Sequence, residues 1–222
     1  MLALIVALLL QDQPGAKPVP KEGGWLKRHE GFVAEAKGKA DCGLLFLGDS
    51  ITDSWRGKKA IFDAAFAAHK PFNLGVSGDR TQHLLWRLQN GEIDGLKPRA
   101  AVIMIGTNNI GQKDPEPAAS AVAGIQAIVA HLKKTTPETK ILLLGVFPRG
   151  EKPDHAHRAV IQEINAAAAK IEGVRFLDIG EKFLQPDGAI SKEIMPDFLH
   201  LSEKGYQIWA DAIKEPVDAL MK

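Results

Sequence analysis

The feature that most constrains the fold is a set of short apolar runs that do not alternate with polar residues. Residues 44–47 (LLFL) stop at Gly48, 101–105 (AVIMI) at Gly106 and 141–144 (ILLL) at Gly145; 72–74 (FNL) stop at Gly75, and 174–177 (VRFL) form a fifth, less apolar run. A strand with one wet face alternates, whereas a strand covered on both faces is apolar throughout. Longer segments of helical period lie between the runs. Within 118–134, Val122, Ile125, Ile128, Val129 and Leu132 share one face at the 3.6-residue spacing. Further helices are expected over 25–36, 58–67, 81–88 with Asp79 as a candidate cap, 156–170, and 203–214 with Ser202 as N-cap. Strands separated by helices build a parallel sheet covered on both sides. The expected fold is α/β: a three-layer α/β/α sandwich of about five parallel strands in the flavodoxin-like order.

A chain of 222 residues suits one domain. It buries about 70% of its unfolded surface and so needs no disulfide or metal to fold. A net charge of +1 leaves no electrostatic footprint for nucleic acid, and no Lys/Arg run suggests a membrane-surface patch. The single cysteine, Cys42, excludes an internal disulfide and a thiolate metal site. Residues 1–10 (MLALIVALLL) are too short for a bilayer-spanning helix, which needs about 20 residues. Their length suits the core of a secretory signal, which implies export to the periplasm or outside the cell. The other readings are a buried N-terminal strand or an early start codon, and would leave the protein cytoplasmic. Residues 11–24 are rich in Pro, Gly and charge and read as a linker. The division is thus a signal and linker over 1–24 and a catalytic-type domain over 25–222.

Open α/β sheets bind ligands at the carboxyl ends of their strands. The first run is followed by Gly48-Asp49-Ser50-Ile51-Thr52, the second by Gly75-Val76-Ser77-Gly78-Asp79, and the third by Gly106-Thr107-Asn108-Asn109. Asp197-Phe198-Leu199-His200 precedes the last helix. Together these are the parts that acyl transfer needs. A serine hydroxyl requires an adjacent base, a histidine suits that role near neutral pH, and a carboxylate fixes the imidazole tautomer. Ser50, His200 and Asp197 supply them. The backbone N–H groups of Ser50 and Gly78 and the Asn108 amide are candidate oxyanion donors. A side chain at position 78 is expected to block close approach of the backbone. Asp49 reads as structural, holding the turn, because a carboxylate beside an oxyanion opposes the developing charge.

The four blocks GDSIT, GVSGDRT, GTNN and DFLH resemble those of the SGNH (GDSL-type) hydrolases, with Ser50, Gly78, Asn108 and His200 at the four name-giving positions and Asp197 as third triad member. The stretches NLGVSGDRTQHLLWRLQNGEI, LLLGVFPRGEKP and DFLHLSEKGY are similar to the catalytic subunits of type Ib platelet-activating-factor acetylhydrolases. This resemblance runs from about residue 44 onward. It implies a flavodoxin-like fold and hydrolysis of short acyl esters, acetyl above all, without metal or cofactor. An acetylated sugar or a lipid would be the substrate, and a homodimer is in keeping with it. The match also favours Asn108 over Asn109 as the donor. The run at 1–10 and the GDSITDxW form depart from the intracellular members, so their substrate does not carry over.

Simpler readings stand beside these. Ser50 alone would serve as a helix cap, but capping explains none of the other blocks. The α/β-hydrolase elbow G-x-S-x-G is broken by Thr52. A non-catalytic ligand-binding module of flavodoxin type is the alternative; it has no need of an Asp-His pair. No P-loop or G-x-G-x-x-G pattern supports a nucleotide enzyme. His155 and His157 form a pair without an evident third ligand, and most of the histidines other than His200 are expected at the surface. Arg149 follows the fourth run and either borders the site or caps a solvated turn. Trp55, Trp86 and Trp209 read as packing residues.

Overall fold

The computed structural model describes residues 12–222. The apolar run 1–10, and with it the export reading, lies outside them. Five strands, β1 (Leu44–Gly48), β2 (Pro71–Asn73), β3 (Ala100–Met104), β4 (Lys140–Leu144) and β5 (Arg175–Leu177), form one sheet in the order β2-β1-β3-β4-β5. Every pairing is parallel, with Leu45 opposite Phe72 and Ala101. The flavodoxin-like order expected from the sequence is the order found.

The helices are α1 (Gly24–Ala36), α2 (Ser50–Asp53), α3 (Lys59–Phe66), α4 (Thr81–Gln89), α5 (Thr107–Gly111), α6 (Ala118–Thr135), α7 (Ala156–Ala168) and α8 (Glu203–Leu220). Side chains of a strand point alternately to its two faces. Leu45, Leu47, Ala101, Ile103, Ile141 and Leu143 enter one core, against α1, α4, α6 and α7. Leu44, Phe46, Ala100, Val102, Met104, Leu142 and Leu144 enter the other, against α2, α3 and α8. Two apolar layers on one sheet are what the non-alternating runs demanded. Trp55 and Trp209 are buried in the second layer, while Trp86 packs against Trp25 in a tilted arrangement and edge-on against His29, between α1 and α4. Among the described residues no helix is long and apolar enough to cross a membrane.

Four local expectations change. Helix α8 runs six residues past 214, through Pro216. The missing proline N–H is tolerated because Ile213, Val217 and Met221 continue the buried stripe begun by Tyr206 and Trp209. Asp79 does not cap α4. Both its carboxylate oxygens are taken, by Trp25 Nε1 (2.6 Å) and Arg87 Nε (2.8 Å), and His83 Nδ1 instead accepts from the Arg80 N–H. Burial, then the Lys21 charge, pushes His83 down to about 3, which keeps its ring neutral and able to accept. His29 is buried rather than exposed, bonded to Glu92 at 3.0 Å. Finally, residues 12–23, whose composition reads as a linker, lie against the domain as a strap. Gly15 N donates to Ser120 Oγ (2.7 Å), Thr81 Oγ1 donates to Gly15 O (2.9 Å), and Val19 N donates to Gln82 O (3.3 Å).

Candidate active site

Three neighbouring strands, β2, β1 and β3, end on the same edge of the sheet and release the three sequence blocks side by side. After β1, Asp49 turns the chain into α2, its Oδ1 accepting from Ile51 N at 3.0 Å. Ser50 is therefore the first residue of α2, where backbone N–H groups have no helical acceptor. Asp49 is wholly buried. Burial, followed by the Asp79 charge, pushes its carboxyl up to about 7, against the pull of the Ile51 N–H, His200 and Arg149. The structural reading of Asp49 thus gains a second aspect: a carboxyl that sits beside Ser50 without a full negative charge near pH 7.

Ser50 Oγ lies 2.9 Å from His200 Nε2, and His200 Nδ1 lies 2.6 Å from Asp197 Oδ2. Asp197 Oδ1 accepts from the backbone N–H of His200 (2.7 Å) and of Leu199 (3.1 Å). Burial raises the Asp197 carboxyl, but the bonds from the His200 ring and these two N–H groups outweigh it and hold the group below the usual carboxylate range. An ionised Asp197 fixes the N–H of the imidazole on Nδ1 and leaves Nε2 free to accept from Ser50. To close this loop, Phe198 adopts a left-handed backbone (φ 60°), and its carbonyl accepts from Gly150 N at 2.9 Å. Such a conformation in an aromatic residue is held by its surroundings.

Asn108 reaches the Gly78 turn at the next residue: its Nδ2 donates to the Asp79 carbonyl at 2.9 Å. That uses one of the two amide N–H groups and leaves the other available. Asn109, the other candidate, faces away. It is buried, and its amide joins Thr81 (3.0 Å), Gln82 (3.1 Å) and Glu116 (2.9 Å). Gly78 has a φ of +76°, a backbone conformation that favours glycine, and a Cβ built there meets no protein atom closer than Lys21 Nζ at 3.7 Å.

Arg149 borders the site. Its Nη1 donates to Thr107 O and Oγ1, both at 3.2 Å, tying the loop after β4 to the loop after β3. Beside it opens a hollow of about 340 Å3 that reaches Asp197, Phe198 and Leu199 and is otherwise lined by Glu151, His155 and His157. Sequence reasoning missed the supports behind the blocks. Lys21 Nζ (2.7 Å) and Gln112 Nε2 (2.9 Å) both donate to the Gly78 carbonyl, and Arg87 is fully buried between Asp79 and Glu92. Only the presence of an arginine in the core-facing stripe of 84–88 hinted at the last of these.

A model of the GDSL-like Lipase/Acylhydrolase family matches residues 46–208. The chain is 36% identical over 204 residues to platelet-activating factor acetylhydrolase IB subunit alpha1 of Homo sapiens, covering 88% of this chain and 86% of that protein. It is 37% identical over 194 residues to subunit alpha2 of Rattus norvegicus, covering 86% and 82%. Among solved structures, a GDSL-like lipase from Bacteroides thetaiotaomicron superposes with a TM-score of 0.69 at 21% identity, over 86% of this chain and 97% of that one. An acetylxylan esterase from Geobacillus stearothermophilus superposes with a TM-score of 0.62 at 21% identity, over 80% and 96%. At such identities these two structures speak for the fold alone.

Proposed function

Given that the chain belongs to the GDSL-like lipase/acylhydrolase family and is a carboxylic ester hydrolase, we propose that it is a serine esterase that cleaves short-chain, chiefly acetyl, esters through an acyl-enzyme on Ser50. The observation that carries the reading is the unbroken line Ser50 Oγ, His200 Nε2, His200 Nδ1, Asp197 Oδ2, with links of 2.9 and 2.6 Å. His200 takes the Ser50 proton as Oγ attacks the ester carbonyl. The N–H groups of Ser50 and Gly78 and the second amide N–H of Asn108 receive the oxyanion. As the tetrahedral intermediate collapses, His200 protonates the departing alcohol. Water then attacks the acyl-enzyme by the same route in reverse roles. Near-neutral Asp49 keeps a second carboxylate from opposing the oxyanion.

The acetyl assignment is supported by the names of the acetylhydrolase relatives. The alcohol is assigned from the hollow beside the triad. Arg149, Glu151, His155, His157 and Asp197 line it together with Phe198 and Leu199, a mixed set of donors and acceptors that suits hydroxyl groups better than an alkyl tail. The two larger surface hollows, on the α4–α6 face and beside β2, include no triad residue in their lining. An acetylated sugar or similar polar alcohol is therefore favoured over a long-chain lipid.

Hydrolysis of p-nitrophenyl acetate, butyrate and octanoate by wild type, Ser50→Ala and His200→Ala tests the reading. Acetate is expected to be the best substrate, and both variants are expected to lose at least about 10³-fold in kcat. Acetylated xylo-oligosaccharide is then expected to outperform an acetyl phospholipid. Unchanged turnover in Ser50→Ala would overturn the acyl-enzyme, and preference for the phospholipid would overturn the alcohol assignment.

A further inference from the structure

The strap 12–23 reaches the site through one side chain, and it is built to stay docked. Gly15 and Gly124 pack backbone against backbone. A Cβ on Gly15 would fall on the Ser120 carbonyl oxygen, and one on Gly124 would fall on Thr81 Oγ1 and the Gly15 carbonyl. Ser120 Oγ accepts from Gly15 N at 2.7 Å and donates to Glu116 Oε2 at 2.5 Å. Glu116 also accepts from Arg80 (2.9 Å), Gln82 (2.7 Å) and Asn109 (2.9 Å). The strap is thus joined to α4, α5 and α6 by bonds that involve neither Ser50 nor His200.

From this anchorage the chain runs on to Lys21. Its ammonium donates to the Gly78 carbonyl at 2.7 Å and lies 3.5 Å from Asp79 Oδ1. Four residues later Trp25 Nε1 donates to the same Oδ1 at 2.6 Å. Gln112, just past α5, donates to the Gly78 carbonyl from a second direction at 2.9 Å. The next carbonyl, of Asp79, holds Asn108 Nδ2 at 2.9 Å. The two carbonyls that follow the Gly78 N–H along the chain are thus both held, the first by Lys21 and Gln112 and the second by Asn108. Gly78 needs such fixing more than other residues do, because a glycine at φ +76° has no Cβ to restrict it and falls readily into other backbone wells.

We propose that Lys21 is a positioning residue for ester hydrolysis: with Gln112 it pins the Gly78 carbonyl, so that the Gly78 N–H and the Asn108 amide stay aimed at the oxyanion. The inference rests on the reading of Gly78 and Asn108 as oxyanion donors. It makes residues 12–23, by composition a linker, a working part of the hydrolase domain. The Gly15, Thr81 and Val19 bonds hold the strap without Lys21, so removing the ammonium leaves the Gly78 carbonyl to Gln112 alone and leaves the fold in place.

The test is steady-state kinetics on p-nitrophenyl acetate for Lys21→Met, Lys21→Arg and the double variant Lys21→Met with Gln112→Leu, each checked by thermal melting, beside Ser50→Ala. Misplacement of a reacting or stabilising group by about 1 Å costs on the order of 10²-fold. The expected result is a kcat loss of about 10-fold in Lys21→Met and about 100-fold in the double variant, with KM within about two-fold of wild type. Lys21→Arg, which keeps a cationic donor, is expected to recover most of the kcat. A kcat of Lys21→Met within about two-fold of wild type, or a loss confined to KM, overturns the inference while a dead Ser50→Ala leaves the esterase reading standing. Full activity in Ser50→Ala overturns both.

Discussion

Replacing Asp49 with Asn is expected to change how stability depends on pH. The Asp49 carboxyl is fully buried at the start of α2, with Oδ1 on the Ile51 N–H and Oδ2 without a partner among the described residues. Burial moves it from its ordinary value of 3.8 up to about 7. A raised acid binds its proton more tightly in the folded chain than in the unfolded one. Its stabilising contribution is complete below about pH 4 and is lost as pH rises through about 7. At about 1.4 kcal/mol per pH unit, integration between pH 5 and pH 8 gives a loss of about 3 kcal/mol. Asparagine caps a helix as well as aspartate and never ionises. It also leaves one buried polar atom unpaired, as Asp49 does, so that cost cancels in the comparison. Urea unfolding of wild type and Asp49→Asn at both pH values measures the effect. Relative to wild type, the variant is expected to gain about 3 kcal/mol on going from pH 5 to pH 8, equivalent to roughly 6–12 °C in Tm for a chain of this size. Every other titrating group is common to the two proteins. Parallel pH profiles would refute the reasoning, because they would mean that Asp49 does not change protonation between pH 5 and pH 8.

Three more outcomes are expected. Asn108→Ala removes a side-chain donor and is expected to lower kcat on p-nitrophenyl acetate by about 10²–10³-fold with little change in KM. Arg87→Met removes the guanidinium that the buried carboxylates of Asp79 and Glu92 share and is expected to cost about 3–5 kcal/mol, read as a shifted urea midpoint. Gly78→Ala has room for its methyl but not the backbone freedom; a loss of about 1–2 kcal/mol in thermal melting is expected, with the fold retained.

The sheet was legible because both its faces are buried, which turns strands into apolar runs that end where the chemistry begins. The Ser50, His200 and Asp197 cluster was legible for a related reason: Ser50 follows β1 directly, and Asp197 and His200 share one loop, so the order of motifs along the chain matches their assembly. Lys21 was not legible. It sits in a Pro/Gly/charge-rich segment, and what docks that segment is backbone, namely the Gly15 N–H and carbonyl and the contact with Gly124, which leaves no apolar pattern to read. Asp79 was misread as a cap because the capping preference looks only at nearby N–H groups, whereas a buried carboxylate goes to the strongest donors within reach, here Arg87 and Trp25. The last turn of α8 was missed because Pro216 is a strong local stop signal, and the buried stripe through Val217 and Met221 overrides it.

The Asp197–His200 loop bears on how such a protein is made. The proposed acid and base, Asp197 and His200, are three residues apart, and Ser50 lies 150 residues before His200. A ribosome delivers Ser50 first, together with β1, and the chain then carries a nucleophile with no base while β2 to β5 are synthesised. Domains fold largely as units, and the sheet is complete only after β5. When the loop emerges it brings the base already oriented, so a single long-range closure switches the chemistry on. No half-built form holds the histidine without its carboxylate. On the proposed mechanism, the nascent chain stays inert toward esters until nearly all of it exists, and then becomes competent in one step.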